Sequence, residues 1–111
     1  MKVLEIFEKV NLTVPIEQRR FFNHLEDTVD ELKSMYRRFV TEDDKEYIKP
    51  EDINGEIIIL PLYKDAIVEN ILFLATNEEP RKSEFIRKSR QAFLRYWSEH
   101  AKGKRIKRGR W

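Results

Sequence analysis

Between Phe22 and Phe39 the apolar residues return every three or four positions, as Phe22, Leu25, Val29, Leu32, Tyr36 and Phe39. That spacing is one face of an α-helix, and neither Gly nor Pro interrupts it after Pro15, so it predicts a helix over 16–40. Thr13-Val14-Pro15 reads as its start, since proline loses nothing in a first turn. Phe21, Thr28 and Met35 broaden the stripe, while Glu26, Asp27, Asp30 and Glu31 make the outer face acidic. Upstream, residues 2–10 predict a short helix with Val3, Leu4 and Phe7 facing inward and Asn11 at its end. Downstream, Tyr63, Ala66, Ile67, Asn70, Ile71 and Leu74 recur at helical spacing over 62–76. Val68, Leu72, Phe73 and Ala75 add apolar groups on other sides, so this helix should be buried by several neighbours. Across Asn77-Glu78-Glu79-Pro80 a last helix follows over 81–101. Phe85, Ser89, Ala92, Phe93 and Tyr96 form its dry stripe, widened by Ile86 and Trp97. Arg87, Lys88, Arg90 and Arg95 form its basic face. The third and fourth helices thus predict a helical hairpin, with Gly103 as the closing cap.

The stretch 41–60 breaks the helical period. Thr41 to Glu46 is an acidic loop, and Asn54-Gly55 is a turn signal because both residues tolerate positive φ. Glu56-Ile57-Ile58-Ile59-Leu60 is short and β-branched, which predicts a strand. Glu46-Tyr47-Ile48-Lys49 is its candidate partner in a loop or β-hairpin excursion over about 45–60, although Pro50 opposes that pairing. A strand does not stand alone, so it pairs either within this excursion or with a neighbouring copy.

The chain has 111 residues, which suits one domain. Charged residues make up 38% against an average near a quarter, so much of the surface is solvated charge or charged interface. The net charge of +2 hides a division. Residues 1–80 hold 10 Lys/Arg against 18 Asp/Glu, giving −8; residues 81–111 hold 12 against 2, giving +10. Such asymmetry fits a polyanion partner, the acidic part of a neighbouring copy, or simply a solvated tail. Residues 102–111 contain no acid and no apolar period, which predicts a flexible basic tail after a domain over 1–101. Trp111 closes that run with no periodicity to explain it. It is either an anchor in a partner's groove or a lone exposed tryptophan.

The chain has no cysteine, which excludes disulfides, zinc–cysteine sites and thiol catalysis. No apolar run is long enough to span a membrane. Glu5 and Glu8 interrupt the apolar residues that a signal peptide would need. His24 and His100 are the only histidines. A carboxylate-bridged metal site in a bundle needs Glu-x-x-His on two helices, and that repeat is missing. His24 therefore reads as a surface histidine on an acidic helix. An EF-hand register with Gly55 sixth puts Pro50 first and Pro61 twelfth, so it fails. There is no Walker-type loop and no G-x-S-x-G motif. The sequence predicts no enzyme, no metal and no cofactor.

The order of these features resembles the small α-helical head–tail connector, or adaptor, proteins of tailed bacteriophages and prophages. Residues 60–111 carry the pattern: a Tyr63-containing apolar helix, the acidic turn Glu78-Glu79, a helix with Phe85-x7-Phe93-x3-Trp97, then a basic tail. The resemblance implies a structural subunit of the virion neck, assembled in the bacterial host cytoplasm. It would bind the portal protein and the next neck or tail component. Copies would self-associate into a ring of about a dozen under the portal, extending the DNA channel, with non-specific contact to channel DNA open. The tail residues Lys102, Lys104, Arg105, Lys107, Arg108, Arg110 and Trp111 would be the partner-binding site, toward portal or DNA.

The expected fold is therefore mainly α: a small bundle with a long N-terminal helix, a loop or β-hairpin excursion, a helical hairpin and a basic tail. The first functional expectation is the connector. The alternative is a small nucleic-acid-binding protein acting through its basic C-terminus, although neither helix-turn-helix spacing nor an RNA-binding aromatic motif is present. A metal-dependent bundle enzyme is a third and weaker expectation.

Overall fold

The computed structural model describes residues 1–42 and 45–108, with side chains described up to Glu99 apart from Arg38. Helix α1 spans Val3–Thr13, α2 Gln18–Tyr36, α3 Lys64–Thr76 and α4 Glu79–Arg108, and 3-10 turns occupy Arg37–Val40 and Pro61–Tyr63. The chain is mainly helical, as its apolar periods predict. α3 packs on α4, α2 and α1, so three helices bury the one that is apolar almost all round. Ala66, Ile67, Asn70, Ile71 and Leu72 are its buried residues, and Tyr63 is buried just before it.

Several element edges and inward faces differ from those the sequence predicts. α1 buries Val3, Ile6 and Val10, whereas Leu4 is exposed and Phe7 half-buried. Its inward stripe is thus rotated from the expected one, and it continues past Asn11 to Thr13. The Asn11 side chain instead accepts from the Ile16 N–H at 3.1 Å, closing the corner before α2. α2 starts at Gln18, not at Pro15, and buries Phe21, Leu25, Thr28, Val29 and Leu32. Met35 is exposed. The helix stops at Tyr36 because Arg37 takes φ 53° and ψ −128°, a region that L-residues avoid. Phe39 lies beyond the helix, in the 3-10 turn, where it is half-buried against rings of α4.

No β-hairpin forms among the described residues; there are two isolated antiparallel bridges, Lys2 with Glu56 and Thr41 with Ile59. The β-branched stretch is extended, but its partners are remote in sequence. On one side the Ile57 N–H donates to the Met1 carbonyl at 2.9 Å and the Val3 N–H to the Gly55 carbonyl at 3.1 Å. On the other side the Glu42 N–H donates to the Ile58 carbonyl at 2.8 Å and the Leu60 N–H to the Val40 carbonyl at 2.9 Å. Residues 55–60 are therefore clamped between the start of α1 and the end of the 3-10 turn, with Ile57 and Ile59 in the core. Their intended partner, residues 46–49, lies elsewhere. The Tyr47 hydroxyl bonds the Glu26 carboxylate at 2.5 Å and ties that segment to α2.

Asn77 ends α3 with φ 61°, the left-handed cap that asparagine tolerates, and its N–H returns to the Phe73 carbonyl at 2.6 Å. α4 then runs back along α3 and far beyond it. Thirty residues of helix span about 45 Å, against about 20 Å for the thirteen of α3. The helix passes through Gly103, so the expected cap there is a helical residue. An interior glycine costs about 1 kcal/mol relative to alanine, which a long helix can absorb. The principal extents, 53 × 30 × 20 Å, reflect this one long element.

Candidate partner-binding site

Three features of α4 are candidates for function. The first is the polar seam that fixes its N-terminal half. The Lys82 ammonium donates to Glu31 of α2 at 2.5 Å and to the Asn70 side-chain carbonyl of α3 at 3.2 Å. It also stands 4.8 Å above the Phe85 ring and 5.5 Å above that of Phe73, where the ring faces attract a cation. Asn70 in turn donates to the Thr28 hydroxyl at 2.9 Å. Glu69, mostly shielded from solvent, takes Lys88 at 3.0 Å and Arg81 at 3.6 Å. Two acids of the outer face of α2, Glu31 and Glu26, thus hold neighbouring elements while remaining partly exposed.

The second is a groove of about 310 Å³ between the start of α3 and the middle of α4. Leu62 and Ala92 line it with Asp65, Arg87, Lys88, Gln91 and Arg95. Each charge there has a partner: Asp65 with Lys9 at 3.2 Å, Arg87 with Glu84 at 2.7 Å, Lys88 with Glu69, and Arg95 with Glu99 at 3.4 Å. The hydrogen bond from Arg87 holds the Glu84 carboxyl below its ordinary pKa and raises that of Arg87. Such a groove can exchange ion-pair partners with an incoming anion, but it presents no activated nucleophile and no unshared acid–base pair.

The third is an aromatic cluster where α4 crosses the end of α2. Phe93 stacks on Tyr36 at 4.8 Å, and Phe39 meets Phe93 at 5.7 Å, Tyr96 at 6.1 Å and Trp97 at 5.5 Å. These edge and offset arrangements are the favourable ones for rings. Among the described residues the cluster is the last aromatic contact of α4. Ser98 and Glu99, just beyond it, are exposed. The helix from 98 to 108 covers roughly 16 Å more.

His24 differs from its reading as a surface histidine. Its Nε2 is buried without a hydrogen-bond partner among the described residues. Burial lowers its pKa, the nearby Arg20 lowers it further, and Asp27 opposes both. No group of three or more His, Asp or Glu side chains that could hold a metal occurs among the described residues, nor a helix long and apolar enough to cross a membrane.

Of the sequence-predicted site residues, Lys102, Lys104, Arg105, Lys107 and Arg108 fall on the helical backbone of α4, but their side chains lie outside the described residues. Arg110 and Trp111 lie outside them entirely. The structure therefore carries most of the basic segment on the C-terminal turns of α4 and gives its side chains no placement. The aromatic cluster and the Lys82 node were not singled out from sequence as site features, although the ring spacing 85–93–97 was visible. No protein-family model, curated protein or solved structure matches the chain.

Proposed function

We propose that this chain is a non-enzymatic assembly protein, a connector subunit of a tailed-phage or prophage neck. In this reading it docks under the portal, joins copies of itself into a ring that extends the DNA channel, and offers a platform to the next neck or tail component. Its place is the virion neck, assembled in the host cytoplasm. The observation that supports it best is the construction of α4. One end of that helix is locked into the bundle by Lys82, Phe85 and Glu69. The other continues as helical backbone to Arg108 and carries the basic surplus of the chain. A helix end so built is a probe for an acidic surface on a partner: the bundle holds it in position, and its charge speeds the encounter. The resemblance of residues 60–111 to connector proteins supplies the portal as that partner.

The experiment compares the full chain with a version truncated after Glu99, each titrated against isolated portal rings and against free duplex DNA. Truncation should abolish portal binding while leaving the melting temperature of the domain unchanged. If portal binding survives and DNA binding is lost with steep salt dependence, the chain is a nucleic-acid-binding protein and the connector reading falls.

A further inference from the structure

We propose that the outward flank of α4 receives a second copy of this chain, and that the segment around Ile48 is what that copy inserts. Ile86, Phe93, Leu94 and Trp97 stand at i, i+7, i+8 and i+11, on one side of the helix and beside its dry stripe. Ile86, Leu94 and Trp97 are 49%, 51% and 45% exposed. Phe39 widens the strip through its edge contact with Trp97. Single exposed apolar residues are ordinary, but a row along one helix marks a contact surface.

Arg90 states the chemistry of the occupant. It lies at i+4 on the same flank and is exposed, yet it forms no ion pair with any described residue. Arg81, Lys82, Arg87, Lys88 and Arg95 of the same helix each have a carboxylate. An unpaired guanidinium among apolar side chains favours a visitor with a hydrophobic knob and an adjacent carboxylate.

The same chain carries such a visitor. Ile48 is 78% exposed, and Glu46, Glu51 and Asp52 around it are exposed too. The segment is not loose. Tyr47 is tied to Glu26, and Pro50 is buried, so the chain is held on both sides of Ile48. A knob held outward loses little freedom on docking. Over residues 42–56 seven acids stand against two lysines, a charge of −5 that complements the +10 of residues 81–111. The contact joins two different surfaces and is heterologous. It rests on the assembly reading in requiring that copies meet, but it is tested without a portal as well as with one.

Because the chain has no cysteine, thiols can be introduced singly. Ile48→Cys and Leu94→Cys proteins, each checked for native helicity, are mixed at low salt and treated with a short bis-maleimide, free and on portal rings. Leu12→Cys replaces Ile48→Cys as the control, since Leu12 is 87% exposed but lies outside the acidic segment. The mixed 48–94 dimer should exceed the 12–94 dimer by about ten-fold, and Arg90→Glu in the Leu94→Cys protein should remove the excess. Equal yields, or no 48–94 product either free or on portal rings, overturn the proposal. Portal binding that persists in that case leaves the assembly reading standing. If Leu94→Asp instead abolishes portal binding without any copy-to-copy product, the flank belongs to the portal and the proposal is again overturned.

Discussion

Asn70 of α3 donates its side-chain N–H to the Thr28 hydroxyl of α2 at 2.9 Å, and both residues are fully buried. The Thr28 hydroxyl in turn donates a hydrogen bond to the His24 carbonyl at 2.7 Å, and the Asn70 side-chain carbonyl accepts one from Lys82 at 3.2 Å. One asparagine therefore links three helices within a mostly apolar core. Asn70→Ala should cost about 1–3 kcal/mol, because it strands the groups that Asn70 serves. Asn70→Leu combined with Thr28→Val should cost less than the sum of the single changes, since the pair is removed together. Urea unfolding of the four proteins measures this; additive losses would show that the two residues do not act as a unit.

Ile71 has no solvent exposure and sits on the helix that all the others cover. Ile71→Asp buries a charge with no partner and should cost several kcal/mol, enough to unfold a small domain. Circular dichroism at 25 °C should show lost helicity, and a wild-type melting temperature would refute the packing described.

Arg37 has φ 53° and ψ −128°, a conformation that only glycine adopts without strain. Arg37→Gly should stabilise the protein by about 1 kcal/mol, despite the added freedom of the unfolded chain. Thermal melts read the change directly. Destabilisation would mean that the Arg37 side chain contributes more than its backbone costs.

His24 has a pKa lowered by burial, so the folded protein disfavours its charged form. The unfolded chain binds the proton more readily, and stability must fall as pH drops from above the ordinary histidine value toward the folded one. His24→Gln should therefore flatten the loss of melting temperature between about pH 7.5 and 5.5. If the variant and the wild type lose the same amount, the ring is as well solvated folded as unfolded.

If the chain docks on a portal as proposed, residues 102–111 would bring two separable contributions. Exposed ion pairs are worth about 0–1 kcal/mol each, so charge alone gives a loose, salt-sensitive attachment. A buried tryptophan adds about 2 kcal/mol or more. Arg105→Glu with Arg108→Glu should slow association with portal rings and flatten its salt dependence, whereas Trp111→Ala should mainly speed dissociation. Surface-immobilised portal rings at several salt concentrations separate the two rates; an unchanged dissociation rate for Trp111→Ala would leave that residue without a role.

Sequence alone determined the helical character, the hairpin of α3 and α4, and the central burial of Ile67 and Ile71, because each rests on a local period that survives any packing. It also determined the charge division between residues 1–80 and 81–111. Tertiary structure decided where the β-branched stretch finds its partners, since nothing local distinguishes residues 46–49 from Met1 and Val40 as acceptors for its N–H groups. It also decided which polar side chains are internal. Lys82 and Glu31 look like ordinary surface charges in their own helices and become a partly shielded ion pair only in the folded bundle. The exposed row of Ile86, Leu94 and Trp97 has the same origin. All lie on or beside an apolar stripe in sequence, but α3 and the two 3-10 turns cover only the side that carries Phe85, Ser89 and Ala92.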